Sequence, residues 1–310
     1  MEIYSWTDSE IQKMAIDPNT RTGQLFHATR KAHNDSNRHV RYQLGLVLTS
    51  RPLWANALGL FYPIFQKLHE IAHEWETRQV VLDDTKKNDR FTPELKKLCS
   101  IIHRLDRPAQ FRQDIEYFCG DEYPELQQAL LNDSPPPLVQ EYCAYLDELN
   151  ATDPIRLIPF FYSLHMGLFA GGAVIKRMVI RAFGLAKNKN DSNDKDAAIL
   201  GVQAFDFGKD AAELKQALKD AVDSMELSPE EDARMLMEAP GLFARNNQII
   251  VSIETTQSYE TAKRAFVKKV QYYGGVALAL VAAVGAASLW MVSASSSSRS
   301  LSPSISKQSS

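Results

Sequence analysis

"HMGLFAGGAVIKR", His165 to Arg177, lies inside an apolar run from Leu157 to Ile175. The run reads as a buried helix, yet it carries Gly167, Gly171 and Gly172. Glycine inside a helix costs about 1 kcal/mol relative to alanine. Gly167 and Gly171 are four apart and share one helix face. Small residues on one face let something approach the backbone: another membrane-spanning helix, a packed core helix, or a flat ligand. Pro159 and His165 interrupt the run, and Arg156 and Lys176–Arg177 close its ends. A core helix is therefore expected, with a second membrane span as the alternative.

Outward from this stretch the chain reads almost entirely as helix. Residues 20–40 form one, with Leu25, Phe26 and Ala32 among its apolar positions, and Thr7 or Asp8 could cap a shorter one before it. Ser50 and Pro52 open an aromatic-rich helix with a kink expected at Pro63. Residues 92–108 and 135–154 are proline-bounded helices, and 153–185 form the long glycine-bearing one. Residues 188–196 are a polar loop, and two helices follow, broken near Ser228–Pro229. The alternation in "QIIVSIE" (248–254) runs on into a helical pattern, so no strand is expected. No solenoid repeat is evident. The expected class is all-α: one helical domain over 1–262.

The C-terminal part differs in composition. "YYGGVALALVAAVGAASLWMV" (272–292) carries no charge and is long enough to cross a bilayer core of about 30 Å. Tyr272, Tyr273 and Trp290 sit near its ends, where an interfacial aromatic belt belongs. The basic juxtamembrane segment 263–271 precedes it, with Lys263, Arg264, Lys268 and Lys269 placing the body in the cytosol. Residues 293–310 read as a serine-rich disordered tail. The layout is that of a C-terminally anchored protein, with the endoplasmic reticulum membrane expected and the outer mitochondrial membrane the alternative. "MEIYSWTDSEIQ" has neither the basic nor the apolar region of a signal peptide.

Across 310 residues the formal net charge is −3, with no basic footprint for nucleic acid. Cys99, Cys119 and Cys143 form no CxxC and read as buried thiols in a reducing compartment. Neither a Walker phosphate loop nor a GxSxG elbow occurs. His69 and His73, in "HEIAH", lie four apart on one helix face and could hold a metal. With no obvious third ligand, they read as surface or half-buried histidines. His33, alone, reads as structural.

In combination these segments carry more. "LFHATRKAHNDSNRH" (25–39) resembles the opening helix of the haem oxygenase family, and His33 lands on the proximal iron ligand. "FYSLHMGLFAGGAVIKR" (161–177) resembles that family's distal helix. "LKQALKDAVDSMELSPEE" (214–231) resembles its propionate-binding helix, and "FARNNQI" (243–249) the helix after it. The blocks come in family order and cover most of 20–255. The resemblance implies a single all-α domain, often with a C-terminal anchor. It implies haem as both cofactor and substrate, O2, and electrons from an NADPH-dependent flavin reductase. The products would be biliverdin, carbon monoxide and ferrous iron.

Position by position, the resemblance assigns His33 to the iron and Arg30, Lys215 and Lys219 to the haem carboxylates. The two lysines are four apart, hence on one helix face. Gly167 and Gly171 would clear the distal backbone for haem and O2, and Gly172 would permit a bend. Tyr162 matches the distal-pocket tyrosine, and Phe243 and Asn246 match pocket positions.

The departures bear on activity. Leu168 stands where the family keeps a water-ordering aspartate, and Leu164 where it keeps an arginine. Phe26 replaces a basic carboxylate partner, and Asn37 an acidic neighbour of the proximal histidine. Leucine neither orders water nor relays a proton. Without that aspartate the family's chemistry shifts toward peroxidase-like reactions. His165, two residues before Gly167, is expected to point away from the glycine face. Haem oxygenase activity is the leading expectation. The alternatives are a haem-binding sensor or carrier without turnover, and a membrane-anchored interaction protein without haem.

Overall fold

Thr20 begins the first helix as a cap should: its hydroxyl accepts from the Gly23 amide at 3.1 Å. The computed structural model describes residues 17–77, 92–105, 107–185 and 199–256, with isolated positions between 259 and 271. Ten α-helices and no strand are found among these residues. They are α1 (Arg21–Val47), α2 (Arg51–Thr77), α3 (Thr92–Leu105), α4 (Arg107–Cys119) and α5 (Pro124–Leu131). Then come α6 (Pro137–Thr152), α7 (Ile158–Ala170), α8 (Gly172–Phe183), α9 (Ala211–Asp223) and α10 (Pro229–Ser252). The chain divides into two compact units, Met1–Ala262 and Lys263–Ser310, and all ten helices belong to the first. The expected N-terminal cap at Thr7 or Asp8, the loop 188–196, the span 272–292 and the tail 293–310 lie outside the described residues.

The apolar spacing of α2 makes it the centre of the unit. Leu53, Ile64 and Leu68 are fully buried, and Trp75 nearly so, against α3, α4 and α6. Each such side chain contributes roughly 1.5–3 kcal/mol of burial. The helix runs on through Pro63. On the other side, α1 runs along α10, and α7 packs on both α9 and α10. Arg21 locks this corner. Its guanidinium donates to the Val222 carbonyl in the last turn of α9 and to the Met225 carbonyl just past it, at 2.9 and 2.8 Å, and pairs with Asp232 at 2.6 Å. The break near Ser228–Pro229 is a full capping box, with Ser228 and Glu231 satisfying each other's backbone amides.

The long glycine helix is not continuous. It opens with a 3-10 turn, Pro154–Leu157, and breaks at Gly171 into α7 and α8, which meet at 48°. The break falls one residue before the expected hinge, Gly172. Gly172 is instead buried against Phe205: a Cβ there would lie 3.2 Å from that ring. Phe205 is held in place by two residues of α4, a helix the hydropathy pattern alone did not resolve. The Asp114 carboxylate accepts from the Gln203 and Ala204 amides at 2.8 Å each. Arg107 donates to the Ala204 and Asp206 carbonyls at 3.2 Å each and lies over the Phe207 ring, 4.2 Å from its centroid.

Among the described residues no single helix is long and apolar enough to cross a membrane. The bent pair Pro154–Ala170 and Gly172–Phe183 passes by length and composition together. Yet Ile158, Phe160 and Phe161 have no solvent exposure, so the first half of the pair is a core helix of the bundle.

Candidate functional site

α1 carries His33 and Arg30 on its exposed side. The His33 ring keeps an exposed edge, while Phe243 of α10 stands edge-to-face against it, centroids 5.7 Å apart at 78°. This partial burial lowers the His33 pKa below the ordinary histidine value, which favours the neutral imidazole. Phe26 is half-buried and meets His27 edge-on at 5.6 Å. The side chain of Asn37 lies outside the described residues.

On α7 the glycine edge and the leucine edge separate. Gly167 and Gly171 are exposed, and a Cβ on Gly167 would meet nothing within 4 Å. At Gly171 an added Cβ would press on the Gly167 carbonyl oxygen at 3.1 Å. Leu164 and Leu168, four apart, are buried with the apolar core. His165 points into the bundle. Its Nδ1–H donates to the Phe161 carbonyl at 2.8 Å, and its ring stands edge-on to Phe65 of α2, 5.3 Å away. Burial takes its pKa down to about 4. It is therefore neutral and turned from the glycine edge, as its spacing suggests.

Tyr162 is half-buried, and its hydroxyl hydrogen-bonds Thr22 of α1. Thr22 in turn donates from its amide and its hydroxyl to Asp223 at the end of α9, at 2.8 and 3.0 Å. Burial, chiefly, pushes the Tyr162 phenol up to about 12. The structure thus engages this hydroxyl in a three-helix junction. Lys215 and Lys219 sit half-exposed, one turn apart on α9, with no ion-pair partner found among the described residues. Asn246 accepts from the buried Tyr142 hydroxyl at 3.0 Å. The fold therefore joins His33 to Phe243 and Tyr162 to the start of α1. Gly172 it places against Phe205.

A second cluster lies elsewhere. His69 and His73 of α2 face His103 of α3, with ring centroids 5.1 and 6.0 Å from His103. His103 is the third residue the sequence did not offer, because 30 positions separate it from His73. A signal was present: "HEIAH" matches HExxH, a helix-borne pattern that places two imidazoles on one face.

The chain is similar to known proteins. The Heme oxygenase family profile matches residues 21–252. Heme oxygenase 1 of Pongo abelii is 25% identical over 159 residues, 51% of this chain and 50% of that protein. The chain thus spans about half the length of that relative. Heme-binding protein HMX1 of Saccharomyces cerevisiae is 21% identical over 252 residues, 76% of each chain. A crystal structure of heme oxygenase 2 from Chlamydomonas reinhardtii, without heme, superposes with a TM-score of 0.61 at 28% identity. It covers 76% of this chain and 98% of its own.

Proposed function

The chain belongs to the haem oxygenase family, and on that premise we propose that it binds haem and opens the macrocycle. In this reading the reaction uses O2 and electrons from an NADPH-dependent flavin reductase and yields biliverdin, carbon monoxide and ferrous iron. The observation that carries the proposal is His33, a neutral-leaning imidazole with an exposed edge, seated on Phe243.

The residues present fit the group. The open space beside Gly167 admits a flat ligand close to the backbone. When bound, haem supplies a redox-active iron and the ring that is cleaved. His33 would hold the iron, and the Phe243 ring would fix the rotation of His33. Lys215 and Lys219 would hold the carboxylates from one face of α9, and Arg30 would add a cation from α1. Gly167 and Gly171 would keep Cβ atoms out of the distal space, and Gly172, by packing on Phe205, would set the angle of the bent helix. Asn246, anchored by Tyr142, and Tyr162, anchored by Thr22, would fix the pocket's edges. Leu164 and Leu168 would exclude water where a proton has to arrive.

That last feature favours a second reading: haem binding without turnover. No polar side chain stands at position 168, and HMX1, a relative over 76% of the chain, is named for heme binding. One experiment separates the two. The purified chain is incubated with haem, O2, NADPH and a flavin reductase, and bilin absorption and carbon monoxide are followed. Both products appear for an oxygenase; an unchanged haem spectrum favours the binding protein.

For 272–292 we propose a C-terminal anchor in the endoplasmic reticulum membrane, the outer mitochondrial membrane being the rival. Its uncharged length and basic flank support this. Co-fractionation with either membrane after alkaline extraction tests it.

A further inference from the structure

The histidine cluster between α2 and α3 is independent of the site above. Its elements explain its geometry. On α2, His73 and Glu76 are three apart and point from one face, with His69 a turn earlier. On α3, the buried Leu95, Leu98 and Ile102 seat the helix against α2 and bring His103 opposite. One donor atom each from His73, Glu76 and His103 lies within 4.8 Å of the other two. His73 and Glu76 are exposed and His103 is half-buried, so the group opens to solvent on one side.

Two further observations concern His103. Its Nδ1 lies 2.9 Å from the Glu76 carboxylate. Its Nε2 is buried with no hydrogen-bond partner among the described residues. An imidazole held by a carboxylate on one nitrogen and unsatisfied on the other has the environment of a metal-bound histidine.

We propose that His73, His103 and Glu76 form a binding site for a divalent transition-metal cation of the zinc class, with His69 lining the same face. Imidazole and carboxylate are the donors such ions take, at about 2.0–2.2 Å. Water fills the open side. HExxH in metalloproteases uses its glutamate as a general base. Here Glu70 pairs with Lys67 at 3.1 Å and accepts from Gln66 at 3.2 Å, so the cluster is assigned as a binding site rather than a hydrolytic one.

The test uses the full chain, stripped with chelator and titrated with zinc sulfate against a competing chromophoric chelator. Cobalt(II) provides an optical check on ligand type. One tight site is expected, whose cobalt spectrum lacks the intense near-ultraviolet thiolate band that cysteine ligation would give. The Glu76→Gln variant should weaken it roughly ten- to a hundredfold. His73→Ala/His103→Ala should abolish it while far-UV circular dichroism stays unchanged. Should the double variant misfold, the isosteric Glu76→Gln and the single exposed variant His73→Gln carry the test. The proposal is overturned if stoichiometry and affinity are the same in the folded variants as in the parent, or if the parent binds no zinc.

Discussion

His33 of α1 stands edge-to-face against Phe243 of α10, and through this one ring contact the proposed iron ligand is fixed to a helix some two hundred residues away. Because α1 lies along α10 for much of its length, the imidazole has a rigid backing. His33→Ala is expected to lower haem affinity by at least about tenfold, or 1.4 kcal/mol, and to remove the absorption signature of a histidine-ligated haem. Added imidazole should restore that signature. Phe243→Ala should leave the ligand in place and broaden its orientation. A spectrum in His33→Ala identical to the parent's would assign the iron to another residue.

Leu168 faces the buried side of α7, four residues after Leu164. Leu168→Asp puts a carboxylate next in sequence to Gly167, where on the proposed reading it would order water and supply protons. Bilin formation per haem should rise. Stability should fall by about 1–3 kcal/mol, the usual cost of an imperfectly partnered polar group in a core. Comparing bilin yield with urea unfolding measures both. Lower stability with no gain in bilin would show that position 168 does not limit proton supply.

The helical class was legible because apolar residues recur at helical spacing, and the break near Ser228–Pro229 marks a real helix start. The glycine spacing marks one shared face, and the fold leaves Gly167 and Gly171 exposed on it. What periodicity could not supply was the role of Gly172, since Phe205 reaches it only through the 3-10 turn at Gln203–Phe205. That turn depends on Asp114 and Arg107, charged residues that a hydropathy reading assigns to the surface and the fold buries. His103 escaped for the same reason: its partnership with His73 is made by packing of α3 on α2.

Asp114 satisfies two backbone amides at once, both in the turn that places Phe205 against Gly172. Asp114→Ala leaves both amides without their acceptor, at roughly 1–3 kcal/mol each. Arg107 then loses its neighbouring carboxylate as well. Chemical unfolding of the variant should show a loss of about 2–5 kcal/mol. A loss under about 0.5 kcal/mol, the range of ordinary surface substitutions, would mean that the turn holds without Asp114.

His165 gives the fold a calculable acid sensitivity. Burial lowers its pKa from 6.5 to about 4, against the hydrogen bond to the Phe161 carbonyl, which raises it. The unfolded chain therefore takes up a proton as pH falls through 6.5, while the folded chain resists until about 4. The stability that a neutral His165 contributes is complete above 6.5 and is lost progressively down to about 4. Between pH 7 and pH 4.5 the loss from this group amounts to about 2 kcal/mol. His165→Gln keeps a donor for the Phe161 carbonyl and cannot ionise. In urea unfolding at the two pH values, the parent should lose about 2 kcal/mol more than the variant. Equal losses in both proteins would mean that His165 titrates alike in the folded and unfolded chains, and that its ring is not sealed from water between α7 and Phe65.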